Sequence, residues 1–268
     1  GEEVSLGDKT LKFIFAPGVH WPDTMFTYIK EDNVICTCDF LGAHYTFSDV
    51  FAQESKELEH SAKRYYAEIM MPFRMMCKKY TQMIKDMNVD MVLPSHGPVY
   101  TRPDFILDLY ADWTADTPKN LVVMPYVSMY ESTKEMIDYL SDRLNEKGIQ
   151  TFKFDIVDDD LGDLAMSLVD AATIVMGTSM VLAGPHPMAV NVAYLAAVLR
   201  PKAKFASLVG SYGWGGKLFD LIAQILAPLK LDVIEPLQVK GKPTEEDLKK
   251  LDVMAESIYE KHKSIGLV

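Results

Sequence analysis

The sequence predicts an α/β protein built from two units, and three features of its 268 residues support this. Up to about residue 115, short apolar runs are followed by a long helical tract. Beyond that point, strand and helix patterns alternate regularly. Between the two regions lies a turn-rich segment, Asp112 to Asn120, which contains Thr117-Pro118-Lys119. We therefore predict a first unit at residues 1–116 and a second unit at residues 117–268.

Composition excludes several classes of protein. The formal charge is −11 and the acids are spread along the chain, so the basic footprint of a nucleic-acid-binding protein is missing. The three cysteines, Cys36, Cys38 and Cys77, form no CxxC pair, which argues against a disulfide framework or a zinc or rubredoxin-type iron centre. We expect reduced thiols in a cytoplasmic protein.

We also expect no membrane segment. The stretch Ala171 to Leu199 carries no formal charge and is long enough to raise the question. However, Gly177-Thr178-Ser179 and Gly184-Pro185-His186-Pro187 divide it, which predicts a buried strand, a loop and a buried helix. The acidic start Gly1-Glu2-Glu3 is unlike the basic start of a secretory segment.

The first unit is predicted to contain four strands and a long helical region. The strand patterns are Leu11–Ala16, Met25–Lys30, Val34–Cys38 and Asp90–Pro94. The helical region runs from about Ser55 to Met87 with one interruption at Pro72.

The second unit is predicted to be a doubly wound, five-stranded parallel sheet, because five near-continuous apolar strands alternate with helices. The strand patterns are Leu121–Val127, Thr151–Asp155, Thr173–Gly177, Lys204–Val209 and Asp232–Lys240. The helix patterns are Ser132–Lys147, Asp160–Ala171, Pro187–Leu199, Gly216–Leu229 and Thr244–His262.

Three loops follow strands of this predicted sheet, at the edge where open α/β sheets bind ligands. The residues in question are Ser128, Met129, Tyr130, Glu131, Ser132 and Thr133 in the first loop, Thr178, Ser179, Met180, Val181 and Leu182 in the second, and Ser211, Tyr212, Gly213, Trp214 and Gly215 in the third. Hydroxyls at a helix start suit a phosphate, and Ser132 with Glu135 also reads as a capping box. Aromatic residues among glycines suit a flat ring. Two alternatives remain: the first loop is an ordinary polar helix cap, and Trp214 serves only for packing.

Together these loops resemble the flavodoxin-like domain of flavodiiron proteins. The first loop resembles that family's Ser-Met-Tyr-x-Ser-Thr and the third its Ser-Tyr-Gly-Trp-x-Gly. The resemblance covers about Asn120 to Lys261 and implies that the loop residues contact FMN. The sequence departs from the family at Glu131, where glycine is common, and at Ser179-Met180, which replaces a usual Pro-Thr pair.

Three residues of the first unit suit a metal: His20, Asp39 and His96. Each follows an apolar strand, so their side chains can converge at one edge of a sheet. Imidazole and carboxylate donors suit iron, manganese or zinc, and one aspartate can bridge two ions. The alternative for each histidine is a purely structural role.

The order of these residues resembles the second half of the metallo-β-lactamase fold. The segments beginning His20-Trp21-Pro22 and Asp39-Phe40-Leu41 resemble its flavodiiron branch in particular. By that resemblance His20 ligates one iron, His96 ligates the other, and Asp39 bridges them. It also implies that His44 is a pocket residue, whereas the remaining histidines look like surface or loop residues. These are His60, His186 and His262.

Family members carry an upstream His-x-Glu-x-Asp-His stretch that supplies the other metal ligands, and no such stretch occurs here. Two histidines and one aspartate are too few for two ions. Half of a metallo-β-lactamase sandwich would also expose the inner face of its sheet. We therefore expect the missing segment to exist as a second polypeptide, or to have been lost by cleavage.

The resemblance implies an oxidoreductase that reduces O₂ to water or NO to N₂O at a diiron site. FMN would relay electrons from a rubredoxin-like donor, and the protein would form a homo-oligomer, either a head-to-tail dimer or a dimer of dimers. One alternative is an FMN-binding electron carrier with a vestigial metal domain. Another is a flavin-free interaction protein, favoured only by Glu131 and Ser179-Met180.

Overall fold

The computed structural model describes residues 1–46 and 48–268. The chain divides into two compact units, Gly1–Asp116 and Thr117–Val268. Among the described helices, none combines the length and the apolar character needed to cross a bilayer. The cysteines Cys36, Cys38 and Cys77 are free thiols.

The first unit contains one five-stranded sheet in the order β1-β2-β3-β4-β5. Its strands are β1 (Glu3–Ser5), β2 (Thr10–Phe15), β3 (Met25–Ile29), β4 (Val34–Cys38) and β5 (Met91–Pro94). Neighbours from β1 to β4 are antiparallel, whereas β4 and β5 are parallel. The four predicted strands are therefore present. The short β1 was not predicted, because its three exposed residues show no apolar pattern.

Helices cover one face of this sheet. They are α1 (Lys56–Tyr65), α2 (Arg74–Met87) and α3 (Pro103–Trp113). The predicted interruption lies between α1 and α2, where a π-helical turn and a 3₁₀ turn occupy Tyr66–Met70 and Met71–Phe73. The prediction missed α3, which begins at a proline and buries Tyr110 and Trp113.

The two faces of the sheet differ in burial. Phe26, Ile35 and Val92 are fully buried on the helix-covered face, and the Phe26 ring meets the Tyr80 ring of α2 at 5.6 Å. On the other face the cross-strand pair Phe15 and Met25 is exposed by 67% and 46%. An apolar sheet face is thus left partly open to solvent.

The second unit contains a parallel sheet with the strand order 2-1-3-4-5 of flavodoxin-like folds. Its main strands are β6 (Leu121–Tyr126), β7 (Gln150–Asp155), β8 (Thr173–Val181), β10 (Phe205–Tyr212), β11 (Asp232–Val233) and β12 (Leu237–Lys240). The two-residue β9 (Gly184–Pro185) pairs antiparallel with the end of β8. Both β11 and β12 pair in parallel with β10, so they share the fifth position. The prediction of one continuous strand over Asp232–Lys240 was wrong, because residues 234–236 interrupt it and Pro236 has no amide hydrogen to donate to a ladder.

The helices of this unit are α4 (Ser132–Glu146), α5 (Leu161–Leu168), α6 (Pro187–Leu199), α7 (Asp220–Leu226) and α8 (Glu245–Ser264). The predicted start of α7 at Gly216 was wrong. Gly216 packs so closely on Ala183 that an added Cβ would lie 2.5 Å from the Ala183 carbonyl oxygen, and Lys217 donates its amide hydrogen to that carbonyl. The α/β class predicted for the chain is confirmed.

His262 of α8 was predicted to be a surface or loop residue, which was wrong. Its side chain is fully buried. The ring nitrogens lie 2.7 Å from Thr173 Oγ1 and 2.7 Å from Asn120 Oδ1, so the imidazole ties α8 to the sheet. The helical period of residues 245–264 could have revealed this, since Leu251, Ala255 and Ile258 of α8 are also buried.

Candidate functional sites

Asp39 lies at the carboxyl end of β4, where the chain turns sharply. The pairing of β4 with β5 shifts register between Cys36 and Cys38, and Cys38 has a φ of 53°. The Asp39 carbonyl accepts hydrogen bonds from Tyr65 Oη at 2.9 Å and from the Gly42 amide at 3.4 Å. The backbone is therefore held from two sides, and the carboxylate is only 17% exposed.

The two histidines approach Asp39 from neighbouring connections. His96 follows β5, the parallel neighbour of β4, and its carbonyl accepts the Ala43 amide hydrogen. Gly97 has a φ of 88°, and an added Cβ would lie 2.7 Å from the Ala43 carbonyl oxygen, so only glycine suits this turn. His20 lies in the connection from β2 to β3, which ends at the same edge of the sheet because β2 and β4 run in the same direction.

Each imidazole faces a different oxygen of the Asp39 carboxylate. His20 Nε2 lies 3.4 Å from Oδ2, and His96 Nε2 lies 3.2 Å from Oδ1. When two donor atoms each lie about 2.1 Å from one ion, their separation depends on the donor–ion–donor angle. It is about 3.0 Å for a right angle and about 3.4 Å for a tetrahedral angle. Both separations therefore fit an arrangement in which one carboxylate bridges two ions, each with one imidazole.

The donors form two pairs around one carboxylate rather than one cluster. Across residues 1–46 and 48–268, no group of three or more His, Cys, Asp or Glu side chains is arranged to hold a metal ion. This agrees with the distances, because each carboxylate oxygen has one imidazole beside it. A stable site needs at least three protein ligands for each ion, so these three residues are too few to hold two ions by themselves.

Tyr65 is a neighbour of this site that sequence reasoning missed. Its ring lies 4.9 Å from the His44 ring and 6.1 Å from the His96 ring, measured between centroids. Burial, together with the charge of Asp39, raises the pKa of the Tyr65 phenol well above its usual value. The phenol therefore stays protonated and donates to the Asp39 backbone. No motif marks a tyrosine at the last residue of α1, so only the tertiary structure reveals it.

In the second unit, a cleft of about 300 Å³ lies at the carboxyl edge of the parallel sheet. Nine predicted residues line it: Met129, Tyr130, Ser132, Ser179, Met180, Ser211, Tyr212, Gly213 and Trp214. The tenth lining residue, Gly241, was missed because it follows the interrupted fifth strand; it has a φ of 71° and donates its amide hydrogen to Tyr212. The Tyr130 and Trp214 side chains are 86% and 67% exposed, so their faces are available for stacking.

Ser179 supplies a polar group that the protein itself does not satisfy. The residue is 6% exposed, and its Oγ has no hydrogen-bond partner in the described part of the chain. Since it lies on the cleft wall, a ligand in the cleft can provide the missing partner. Its position corrects one prediction, because β8 extends to Val181, so Thr178, Ser179, Met180 and Val181 belong to the strand end rather than to a loop.

The remaining predicted residues support the cleft or lie outside it. Thr133 and Thr178 are buried, and Thr133 Oγ1 lies 2.9 Å from Ser211 Oγ. Leu182 is 89% exposed, and neither it nor Gly215 lines the cleft. The predicted capping box was wrong: no side chain caps α4 at Glu131, and Ser128 Oγ instead accepts the Lys134 amide hydrogen at 3.3 Å.

Comparison with known proteins agrees with this architecture. The model of the ODP family beta lactamase matches residues 1–97. A nitric oxide reductase of Moorella thermoacetica is 32% identical over 257 residues, which cover 93% of this chain and 64% of the relative. The structure of rubredoxin oxygen:oxidoreductase from Desulfovibrio gigas superposes with a TM-score of 0.92 at 26% identity, covering 98% of this chain and 68% of that one. A flavodiiron protein of Giardia intestinalis gives a TM-score of 0.86 at 25% identity, covering 97% and 68%.

These matches define a metallo-β-lactamase-like unit followed by a flavodoxin-like unit. The chain is thus similar to a flavodiiron protein over 97% of its length and to a nitric oxide reductase over 93%. It spans just under two thirds of the length of the Moorella relative.

Proposed function

We propose that this chain is the part of a flavodiiron oxidoreductase that binds FMN and supplies His20, Asp39 and His96 to a diiron site that reduces O₂ or NO. The observation that carries the proposal is the Asp39 carboxylate, which faces one imidazole with each oxygen at 3.4 and 3.2 Å. A structural histidine–aspartate pair needs only one imidazole, whereas a bridging carboxylate uses both of its oxygens.

In this proposal His20 and Asp39 would hold one ion, and His96 and Asp39 would hold the other. Bound iron would supply open coordination positions and electrons for reduction of the gas. Tyr65 and Gly42 hold the Asp39 backbone, so the carboxylate keeps its orientation between the two imidazoles.

The remaining metal ligands must come from another layer of protein. The exposed sheet face around Phe15 and Met25 supports this, because a second β-sheet packed there would cover apolar side chains. We propose that this layer, as a further segment or a second polypeptide, also carries the missing ligands. The three free thiols are compatible with the reducing cytoplasm.

The cleft in the second unit would hold FMN. The exposed rings of Tyr130 and Trp214 would stack on the isoalloxazine, and Ser179 Oγ would gain a hydrogen-bond partner. Bound FMN would accept electrons from a rubredoxin-like donor and pass them on singly.

A homo-oligomer with head-to-tail contacts would bring the flavin of one subunit to the metal site of another. Two exposed apolar surfaces support this proposal. Trp21 and Phe73, which are 61% and 36% exposed, have ring centroids 5.5 and 6.5 Å from that of His20. The cleft is bordered by Met129, Tyr130 and Trp214, all more than half exposed. Burying both surfaces would stabilise the assembly.

The metal assignment is tested by equilibrium dialysis against ferrous iron without oxygen, using the form of the protein that carries the remaining ligands. We expect Asp39→Ala to lower bound iron at least tenfold, because both ions lose a ligand. Asp23→Ala, an exposed carboxylate in the His20 connection, is the matched control and should retain the wild-type amount. Equal iron in the two variants would contradict the assignment.

The activity is tested with oxygen and nitric oxide electrodes on protein loaded with FMN and iron, in the form that carries the remaining ligands. We expect gas uptake that depends on Asp39. Uptake no faster than that of free reduced FMN would overturn the proposed reaction.

A second candidate function is an FMN-binding electron carrier with a vestigial metal site. It is favoured by the lack of any three-residue metal group in the described residues. Stoichiometric FMN with no bound iron at all would select it.

A further inference from the structure

Glu131 occupies an unusual position beside the cleft. It lies between Tyr130 and Ser132, which both line the cleft, and its φ of 64° is a conformation that residues other than glycine rarely adopt. It precedes the first turn of α4 but makes no side-chain capping bond. Its carboxylate is 77% exposed and lies 3.9 Å from Lys134 Nζ, and Glu131 itself is not one of the residues that line the cleft.

The start of α4 would otherwise favour an anion. The amide groups in the first turn of a helix carry partial positive charge, which attracts phosphate. A second observation makes this a site for a ligand rather than a bare helix end. Ser179, which lines the same cleft as Tyr130 and Ser132, has a buried Oγ with no partner within the described residues.

The charges around this corner are balanced before any ligand arrives. Lys134 lies 3.9 Å from Glu131 and 3.1 Å from Asp138, and Asp138 also pairs with Lys153 at 2.6 Å. One helical turn further on, Glu135 lies 3.4 Å from Lys242 Nζ. Among the described residues named here, three ammonium groups are therefore matched by three carboxylates, which leaves no surplus cation for a phosphate. Neutralising Glu131 would create one.

We propose that Glu131 sets the selectivity of the cleft between phosphorylated and unphosphorylated flavins, by lowering its affinity for the phosphate-bearing form. This inference rests on the proposed flavin site and adds to it a determinant of ligand choice. The mechanism is repulsion between the Glu131 carboxylate and the phosphate, together with competition for Lys134. Riboflavin, which has the same ring system and no phosphate, does not experience either effect.

The test is a fluorescence titration of the full chain with FMN and, separately, with riboflavin. We expect Glu131→Gln to tighten FMN binding about three- to tenfold at low ionic strength and to leave riboflavin binding unchanged. The gain should shrink in 0.5 M salt, because exposed charges are screened over a few ångströms there. Glu131→Gly should give the same gain.

Glu146→Gln is the matched control. Glu146 is exposed at the other end of α4, about 22 Å along the helix at about 1.5 Å per residue, so the same change of charge should leave both affinities unaltered. If the ratio of FMN to riboflavin affinity is the same in Glu131→Gln and the wild type, the inference is overturned while the flavin site stands. If neither protein binds either flavin, the proposed flavin site fails as well.

Discussion

Acidification is expected to destabilise the second unit through one buried imidazole. His262 is 0% exposed, and burial lowers its pKa from 6.5 to about 4. Asn120 Nδ2 donates to the Gly148 carbonyl at 3.1 Å, which turns Asn120 Oδ1 toward His262. The imidazole therefore donates from Nδ1 and accepts the Thr173 hydroxyl at Nε2, as a neutral ring.

The sign of the effect follows from the direction of this pKa shift. The folded state has the lower pKa, so between pH 6.5 and about 4 the unfolded chain binds the proton more readily. The stability contributed by neutral His262 is thus complete above about pH 7 and is lost as the pH falls. A shift of this size corresponds to about 3 kcal/mol in total and about 2 kcal/mol between pH 7.5 and 5.0.

Urea denaturation of the wild type and of His262→Gln at both pH values isolates this contribution. The carboxylates titrate in both proteins, so their effect cancels when the two losses of stability are compared. We expect the wild type to lose about 2 kcal/mol more than the variant on going to pH 5.0. Nuclear magnetic resonance of the imidazole should show no protonation down to about pH 5. An imidazole that titrates near pH 6.5 in the folded protein, or equal losses in the two proteins, would refute the reasoning.

Three further perturbations have distinct expected results. Ser179→Ala removes a buried hydroxyl without a partner, so thermal unfolding should show the ligand-free protein stabilised by about 1 kcal/mol. Flavin titration should show FMN binding weakened about fivefold. A loss of stability would contradict this prediction. Glu131→Gly should raise the free energy of unfolding by up to about 1 kcal/mol, because glycine adopts the φ of 64° without the backbone strain that glutamate has there. An unchanged urea midpoint would show that this strain is absent. Gly177→Ala should destabilise the second unit by about 1–3 kcal/mol, since its Cβ would lie 2.6 Å from the Tyr126 Cβ; wild-type stability would show that the strands can move apart.

Much of the architecture was predictable because it follows from local periodicity. Near-continuous apolar strands such as Thr173–Gly177, alternating with helices, indicate a parallel sheet covered on both faces. Such a sheet gathers the ends of its strands at one edge, so nine of the ten cleft residues could be predicted without coordinates. In the first unit the strand ends likewise indicated that His20, Asp39 and His96 would meet.

Other features depend on contacts between segments that are distant in the chain, and only the tertiary structure decided them. The burial of His262 depends on Asn120, 142 residues away, and the role of Tyr65 depends on Asp39, 26 residues away. Gly241 reaches the cleft because the fifth strand breaks at Pro236 and resumes beside β10. Hydrophobic period and turn chemistry act over a few residues, so the sequence by itself determined the two units, most of their strands and the sheet edges where the candidate site residues gather. Which oxygen of Asp39 each imidazole faces, and which hydroxyl in the cleft lacks a partner, depend on distances of about 3 Å that arise only when those segments pack.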